Sequence, residues 1–240
     1  MNAGDISTLK VEDLHVHFRD ICALRDITFE AQSGQAVAIV GRNGAGKSTF
    51  LKSLAGLIPN AAGLIHWDGK PFDKVTRRKA VAYLPQREEI DWSFPITVRG
   101  LVEMGLFPQV GTWGRFSAIH RTAVSDAIIK MGLEGLEKRR IGELSGGQQQ
   151  RAFLARAIAG GARILLLDEP FAGLDREASQ RLSDLLRDLA GSGALVFASH
   201  HDLKSIPETF PHTLLLRTKQ LCFGPSAEVL TPENISAAFQ

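Results

Sequence analysis

Hydrophobic and polar positions along this chain follow two different periods. In "TLKVEDLHVHF", Leu9, Val11, Leu14 and Val16 recur at nearly alternate positions, which predicts a half-buried strand. "DITFEAQSG" predicts a second strand, ended by a Ser33-Gly34 turn. "AVAIVG" is an unbroken apolar run that leads straight into a glycine-rich loop and then into "KSTFLKSLAGLI", apolar at helical spacing. "GLIHWDGKPF" reads as a hairpin turning at Asp68-Gly69. From about Ile96 to Gly160 the period becomes helical, through "TVRGLVEMGL", "HRTAVSDAIIKMGL" and "QQQRAFLARAIAGG". Strands return in "ILLLDEP" and "ALVFASHHD", with the helix "REASQRLSDLLRDLAGSG" between them. That order suggests a right-handed crossover in a parallel sheet. "LLLRTKQLCFGP" predicts a last hairpin, and "TPENISAAF" a short helix capped by Thr231 with Pro232 in its first turn.

Composition narrows the class. The 240 residues suit one large domain with an inserted subdomain, and there are no repeats, low-complexity tracts or long linkers. A net charge of +2 gives no global argument for nucleic-acid binding. Cys22 and Cys222 stand far apart, so they form no disulfide framework and no CxxC metal motif, as suits a reducing compartment. No secretory pattern opens the chain, and no apolar run approaches the roughly 18 residues that span a bilayer. The chain is therefore expected to be soluble, and to serve a membrane only through a partner.

Candidate chemistry begins at "VGRNGAGKST", which fits a phosphate-binding P-loop in the context of a strand before and a helix after. Gly41, Arg42, Asn43, Gly44, Ala45 and Gly46 would bring backbone amides close to phosphate oxygens at a helix N-terminus. Lys47 would reach the β- and γ-phosphates, the Ser48 hydroxyl would ligate Mg²⁺, and Thr49 would complete the cradle. "ILLLDEP" ends a buried strand with two carboxylates, a pattern that also closes ordinary strands. Beside a P-loop the two acids can divide the chemistry, with Asp168 holding Mg²⁺ and Glu169 orienting and polarising the attacking water. "LSGGQ", residues 144–148, then opens a second helix on glycines. One nucleotide needs one cradle, so this second one requires a separate explanation.

With these motifs in this order, the chain resembles the ATP-binding-cassette (ABC) ATPases over nearly its whole length. "LSGGQ" (Leu144, Ser145, Gly146, Gly147, Gln148) matches the family's signature. The resemblance implies that two cassettes pack head to tail, each signature closing on the ATP held by the other. Ser145 would both cap its helix and donate to the γ-phosphate, while the amides of Gly146 and Gly147 favour an anion at the helix N-terminus. By position, Gln86 in "YLPQ" resembles the Q-loop residue that contacts Mg²⁺ or the attacking water. Asp175 in "AGLD" resembles the D-loop aspartate that communicates across the dimer, and it also reads as a helix cap. His201, immediately before Asp202, resembles the switch histidine that holds the γ-phosphate, whereas His200 matches no motif position. Phe18 stands where the family usually has the tyrosine that stacks on adenine; it keeps the ring face and loses the hydroxyl. His15 and His17 would share a strand face, either as solvated side chains or as a metal pair.

The implied fold is an α/β P-loop NTPase cassette of residues 1–240. It would comprise a RecA-like core, an antiparallel β subdomain, and a helical subdomain inserted at approximately residues 87–160. The implied cofactors are ATP and Mg²⁺. The implied partners are a second copy, integral membrane permease subunits and, indirectly, an extracytoplasmic metal-binding protein, with no nucleic acid. This would place the chain peripherally on the cytoplasmic face of the cell (inner) membrane. "DWSFPITV" followed by "VEMG" resembles the cassettes of manganese, zinc and iron uptake systems, so Asp91, Trp92, Phe94 and Pro95 are expected to line a groove for a permease helix, unless Trp92 and Phe94 merely pack inside the helical subdomain. Siderophore or haem cassettes, other importers and exporters remain open. A soluble ABC ATPase would split its motifs around a long coiled coil or carry two cassettes, and neither pattern is present. A P-loop kinase or GTPase would lack "LSGGQ".

Overall fold

The computed structural model describes residues 6–111, 114–203 and 205–239. Strands β1 (Thr8–Phe18) and β2 (Ile21–Gln32) form an antiparallel hairpin; β3 (Ala36–Val40) leads through the glycine-rich loop to α1 (Lys47–Leu54). Strands β4 (Ala61–Trp67) and β5 (Lys70–Pro71) follow, then α2 (Lys74–Ala80) and β6 (Val81–Leu84). The next stretch carries α3 (Val98–Met104), α4 (Phe107–Val110), α5 (Ala118–Lys130) and α6 (Gly146–Ala159). The chain closes with β7 (Ile164–Leu167), α7 (Arg176–Gly191), β8 (Leu195–Ser199), α8 (Ile206–Thr209), β9 (His212–Arg217), β10 (Lys219–Pro225), α9 (Ser226–Val229) and α10 (Pro232–Phe239).

One sheet runs β5-β4-β1-β2-β10-β9-β3-β8-β7-β6. The strands β9, β3, β8, β7 and β6 pair in parallel, while β5, β4, β1 and β2 are antiparallel. The unbroken apolar runs explain the central strands. In β3, Val37 and Ile39 enter one core with Phe50 and Phe197, while Ala36, Ala38 and Val40 enter the other with Leu186 and Leu189. A strand covered on both faces needs an apolar residue at every position. The β4–β5 turn places Asp68 at φ 52° and Gly69 at φ 70°, the paired left-handed conformation that a two-residue hairpin requires.

Helix starts follow their caps: Asp73, Thr97, Ser117 and Asp175 each accept a first-turn amide through the side chain. Two differences from the sequence pattern are local. The apolar spacing after Lys47 continues to Ile58, yet α1 stops at Leu54 because Gly56 turns left-handed (φ 72°). The one-turn α4 sits where periodicity marks no element of its own, being too short to establish a period.

Candidate active site

Parallel pairing sets four strand ends side by side in the order β3, β8, β7, β6. Their C-terminal ends deliver, respectively, the P-loop, the segment of His200 and His201, the Asp168-Glu169 pair, and Gln86. In open α/β sheets this edge is where ligands bind.

The P-loop is held tightly from behind. A Cβ on Gly41 would lie 2.2 Å from the Leu216 carbonyl oxygen, so only glycine fits. Gly46 caps α1 at φ 98°, and no side chain caps this helix. The buried Lys47 Nζ donates to the carbonyl oxygens of Gly41 at 2.9 Å and Arg42 at 3.1 Å. Burial lowers its pKa, against the opposing pull of Glu169 and Asp168, so the ammonium feels both carboxylates. Ser48 and Thr49 occupy the first turn beyond it. Arg42, Asn43, Gly44 and Ala45 form the loop itself, tied by the Thr218 amide donating to the Ala45 carbonyl.

The acidic strand end is equally fixed. Asp168 is 2% exposed, and its Oδ1 accepts the Ser199 hydroxyl at 2.8 Å. The Tyr83 hydroxyl donates toward Asp168 Oδ2 at 3.5 Å; burial, then the Asp168 charge, push this phenol's pKa up. Glu169 adopts φ 48°, a left-handed conformation that costs a non-glycine residue about 1–2 kcal/mol. Its amide donates to Ser199 Oγ at 2.6 Å, and its Oε2 accepts Gln86 Nε2 at 2.9 Å. With its nitrogen committed to Glu169, Gln86 offers a carbonyl oxygen as a ligand atom. The Ser48 hydroxyl, this oxygen and the Asp168 carboxylate are all oxygen donors, the chemistry that a hard cation such as Mg²⁺ takes. Ser199 carries no signal of its own in the sequence. It lies about thirty residues from both acidic residues and reaches the Asp168 carboxylate and the Glu169 amide only because β7 pairs with β8.

The signature lies elsewhere. Ser145 Oγ accepts the Gln148 amide at 3.4 Å, and Gln148 Oε1 accepts the Ser145 amide at 3.0 Å, a reciprocal capping box. Gly146 and Gly147 start α6, and Leu144 is buried behind them. Asp175 caps α7, accepting the Ala178 amide at 2.7 Å. Ser145, Gly146, Gly147, Gln148 and Asp175 line one hollow, and no P-loop residue lines it among the described residues. Arg87 joins this region to Gln86: its Nη2 donates to Gln149 Oε1 at 3.1 Å and its guanidinium lies over the Trp92 ring at 5.6 Å.

Other expected residues divide. Phe18 ends β1 with its ring 49% exposed, on the hairpin whose β2 residues Ala23 and Leu24 press on Gly46. His201 is exposed after β8. Trp92 packs inward, edge-on to Phe153 at 5.8 Å, and its Nε1 donates to the Arg87 carbonyl at 3.0 Å. Phe94 and Pro95 stay on the surface, and Asp91 accepts the Ser93 amide and hydroxyl. Of the residues expected at a permease groove, Phe94 and Pro95 are thus exposed, while Trp92 follows the packing alternative. His15 contacts not His17 but Asp13, at 2.7 Å, and the ligand atoms of Asp13, His15 and Asp26 lie within 4.8 Å of one another.

Known proteins similar to this chain cover nearly its whole length. Residues 24–172 match the family model described as ABC transporter. The chain is 40% identical to the manganese transport system ATP-binding protein MntB of Halalkalibacterium halodurans, over 97% of its own length and 92% of the relative's. It is also 40% identical to the zinc transport system ATP-binding protein TroB of Treponema pallidum, over 96% and 86%. Among solved structures it is similar to an inward-facing ABC transporter provisionally assigned to the metal-chelate type (TM-score 0.84, 29% identity, covering 97% of this chain and 88% of that one).

Proposed function

Given that the chain belongs to the ABC transporter family, we propose that two copies close head to tail around two ATP molecules and drive uptake of a transition metal through a separate permease. The chain is an ATPase of that family. The observation that carries the dimer is the hollow holding Ser145 to Gln148 and Asp175, which no described residue of the chain's own P-loop lines. A second phosphate cradle apart from the first is explained by a nucleotide on another copy. ATP would then be part of the interface, and loss of its γ-phosphate would open the pair.

The reaction transfers the γ-phosphoryl group of ATP to water: the new bond forms to the water oxygen and the bond to the β–γ bridging oxygen breaks. On this reading the P-loop amides and Lys47 hold the β- and γ-phosphates, and Phe18 stacks on adenine. Ser48, Gln86 and Asp168 would hold Mg²⁺, which neutralises phosphate charge when bound. Glu169 orients the water and accepts its proton, and His201 supports the γ-phosphate from the β8 end. The Gln86–Glu169 hydrogen bond makes the position of that carboxylate depend on the loop after β6. Arg87 carries the same loop's position to α6. Phe94 and Pro95 on the surface are the proposed contacts for a permease helix.

Among the described residues no helix is long and apolar enough to cross a membrane. The proposed assembly therefore places the chain peripherally on the cytoplasmic face of an integral membrane permease, with an extracytoplasmic protein presenting the metal. Zinc or manganese is the favoured cargo, supported by full-length similarity to relatives named for those metals. A chelated metal such as iron is a second reading, favoured by the likeness to the metal-chelate type transporter. Cellular manganese, zinc and iron contents in a strain lacking the protein test the proposal. One metal should fall under scarcity and recover with wild type but not with Lys47→Ala. Unchanged contents of all three would remove metal as the cargo.

A further inference from the structure

His200 belongs to no motif, yet its ring is 5% exposed and every polar atom on it is used. Nδ1 accepts the amides of His201 at 3.0 Å and Asp202 at 3.3 Å. An imidazole accepting at Nδ1 carries its proton on Nε2, which therefore donates to Ser205 Oγ at 3.2 Å. Ser205 Oγ in turn donates to the Asp202 carbonyl at 3.2 Å, closing a ring of hydrogen bonds around the turn that carries His201. Desolvation, with His201 adding to it, pushes the His200 pKa down to about 4, so the ring stays neutral at ordinary pH.

The ring's face has a second partner. It stacks on Phe171, with centroids 4.8 Å apart and planes within 9°, and Phe210 meets both rings edge-on. Phe171 lies on the segment between Glu169 and Asp175, a turn closed by the Ala172 amide on the Glu169 carbonyl and the Leu174 amide on the Phe171 carbonyl. A phenylalanine could fill the same slot, but it would leave the amides of His201 and Asp202 without their acceptor. An asparagine could accept both amides without supplying the stack. Only histidine does both.

We propose that His200 is a positioning residue for ATP hydrolysis: it fixes the turn bearing His201 through two amides and locks that turn, through Phe171, to the segment bearing Glu169 and Asp175. The inference rests on the reading of His201 and Glu169 as groups that act on the γ-phosphate and the attacking water. The two segments are then presented to the nucleotide as one unit, so a shift of the Asp175 segment on closure is felt at His201.

The test uses the full chain with Mg-ATP and three variants: His200→Asn keeps the acceptor, His200→Phe keeps the stack, and His200→Ala keeps neither. In His200→Ala, kcat should fall about 10- to 100-fold, the scale of a sub-ångström to 1 Å misplacement, with nucleotide affinity unchanged. The Asn and Phe variants should each recover part of the rate. A fall in melting temperature with kcat intact in all three variants would overturn the proposal and leave a core-filling side chain. Wild-type ¹⁵N-histidine spectra give an independent reading. A ring protonated on Nε2 alone at neutral pH is expected, and an Nδ1–H ring would overturn the proposal even if a variant failed to fold. Glu169→Gln and His201→Ala run in parallel: if both hydrolyse like wild type, the underlying reading of the site fails; if both are impaired while the His200 variants are not, this inference alone fails.

Discussion

The two helix N-termini that this chain offers to phosphate are built on opposite plans. Helix α1 starts on Gly46 in a left-handed conformation, no side chain caps it, and Lys47 folds back onto the loop's own carbonyls. Helix α6 starts on Ser145 and caps itself twice, through Ser145 and Gln148. First-turn amides left without side-chain partners are unfavourable alone and favourable around an anion. The P-loop thus has its ligand as its cap, which suits a site that must capture nucleotide from solution. The signature helix already has its side-chain cap without ligand and keeps the Gly146 and Gly147 amides at its start, which suits a surface that would meet a nucleotide presented on another chain. On the proposed reading the difference is one of division of labour: α1 would bind, and α6 would recognise what has been bound.

The largest effect that would break this comparison comes from Glu169→Gln. Loss of the carboxylate should slow hydrolysis about 10²- to 10⁴-fold, the usual scale for a general base. Glutamine still offers an oxygen to Gln86 Nε2 in place of Glu169 Oε2, so the loop after β6 keeps its anchor. ATP should persist, and size-exclusion chromatography at saturating Mg-ATP should show a dimer. A protein that holds ATP yet remains monomeric would show that α6 does not close on nucleotide without further partners.

Paired glycine substitutions sharpen the contrast. In Gly46→Ala the new methyl would lie 2.5 Å from Leu24 Cδ2 and 2.8 Å from the Ala23 carbonyl oxygen, at φ 98°. The left-handed conformation alone costs about 1–3 kcal/mol, so melting temperature and nucleotide affinity should both drop. In Gly147→Ala the methyl meets only Ala178 Cβ, at 3.4 Å, an ordinary contact. Gly147 is the second residue of α6, where alanine for glycine is favourable by less than the roughly 1 kcal/mol of a helix interior. The Gly147 variant should therefore melt no lower than wild type and bind ATP normally, yet dimerise poorly in the Glu169→Gln background. A loss of ATP affinity in monomeric Gly147→Ala would mean that α6 serves its own chain's nucleotide.

How much of this is legible in the sequence depends on distance along the chain. Contiguous chemistry is readable: the loop from Gly41 to Thr49, the Asp168-Glu169 pair and the Ser145 helix start each sit within a few residues of the elements that position them. What joins them is not. Ser199 bonds both acidic residues only because β8 lies beside β7, and Gln86 meets Glu169 only because β6 pairs on the other side of β7. Arg87 reaches Gln149 across 62 positions. Motif spacing singles out His201 and leaves His200 unmarked, because spacing says nothing about which ring is stacked and buried. Trp92 and Phe94, two residues apart, read as one surface, but the loop turns between them, with Asp91 bonded to Ser93, and sends one ring inward and the other out.

The smallest effect is the most discriminating for α6. Ser145→Ala removes the side-chain acceptor for the Gln148 amide, and a lost N-cap of this kind costs about 1 kcal/mol, within a range of roughly 0.5–2. The reciprocal bond, in which the residue 145 amide donates to Gln148 Oε1, can remain, which places the expected loss toward the lower end of that range. The isolated chain should show a melting temperature lowered by about 1–2 °C, on the scale of about 2–4 °C per kcal/mol for a protein near this size, with ATP affinity unaltered. If Ser145 also donates to a partner's γ-phosphate, the Glu169→Gln dimer should weaken by more than the melt accounts for, since capping acts within one chain and the lost donor acts across two. Equal losses in the two measurements would reduce Ser145 to a helix cap and leave recognition to the Gly146 and Gly147 amides.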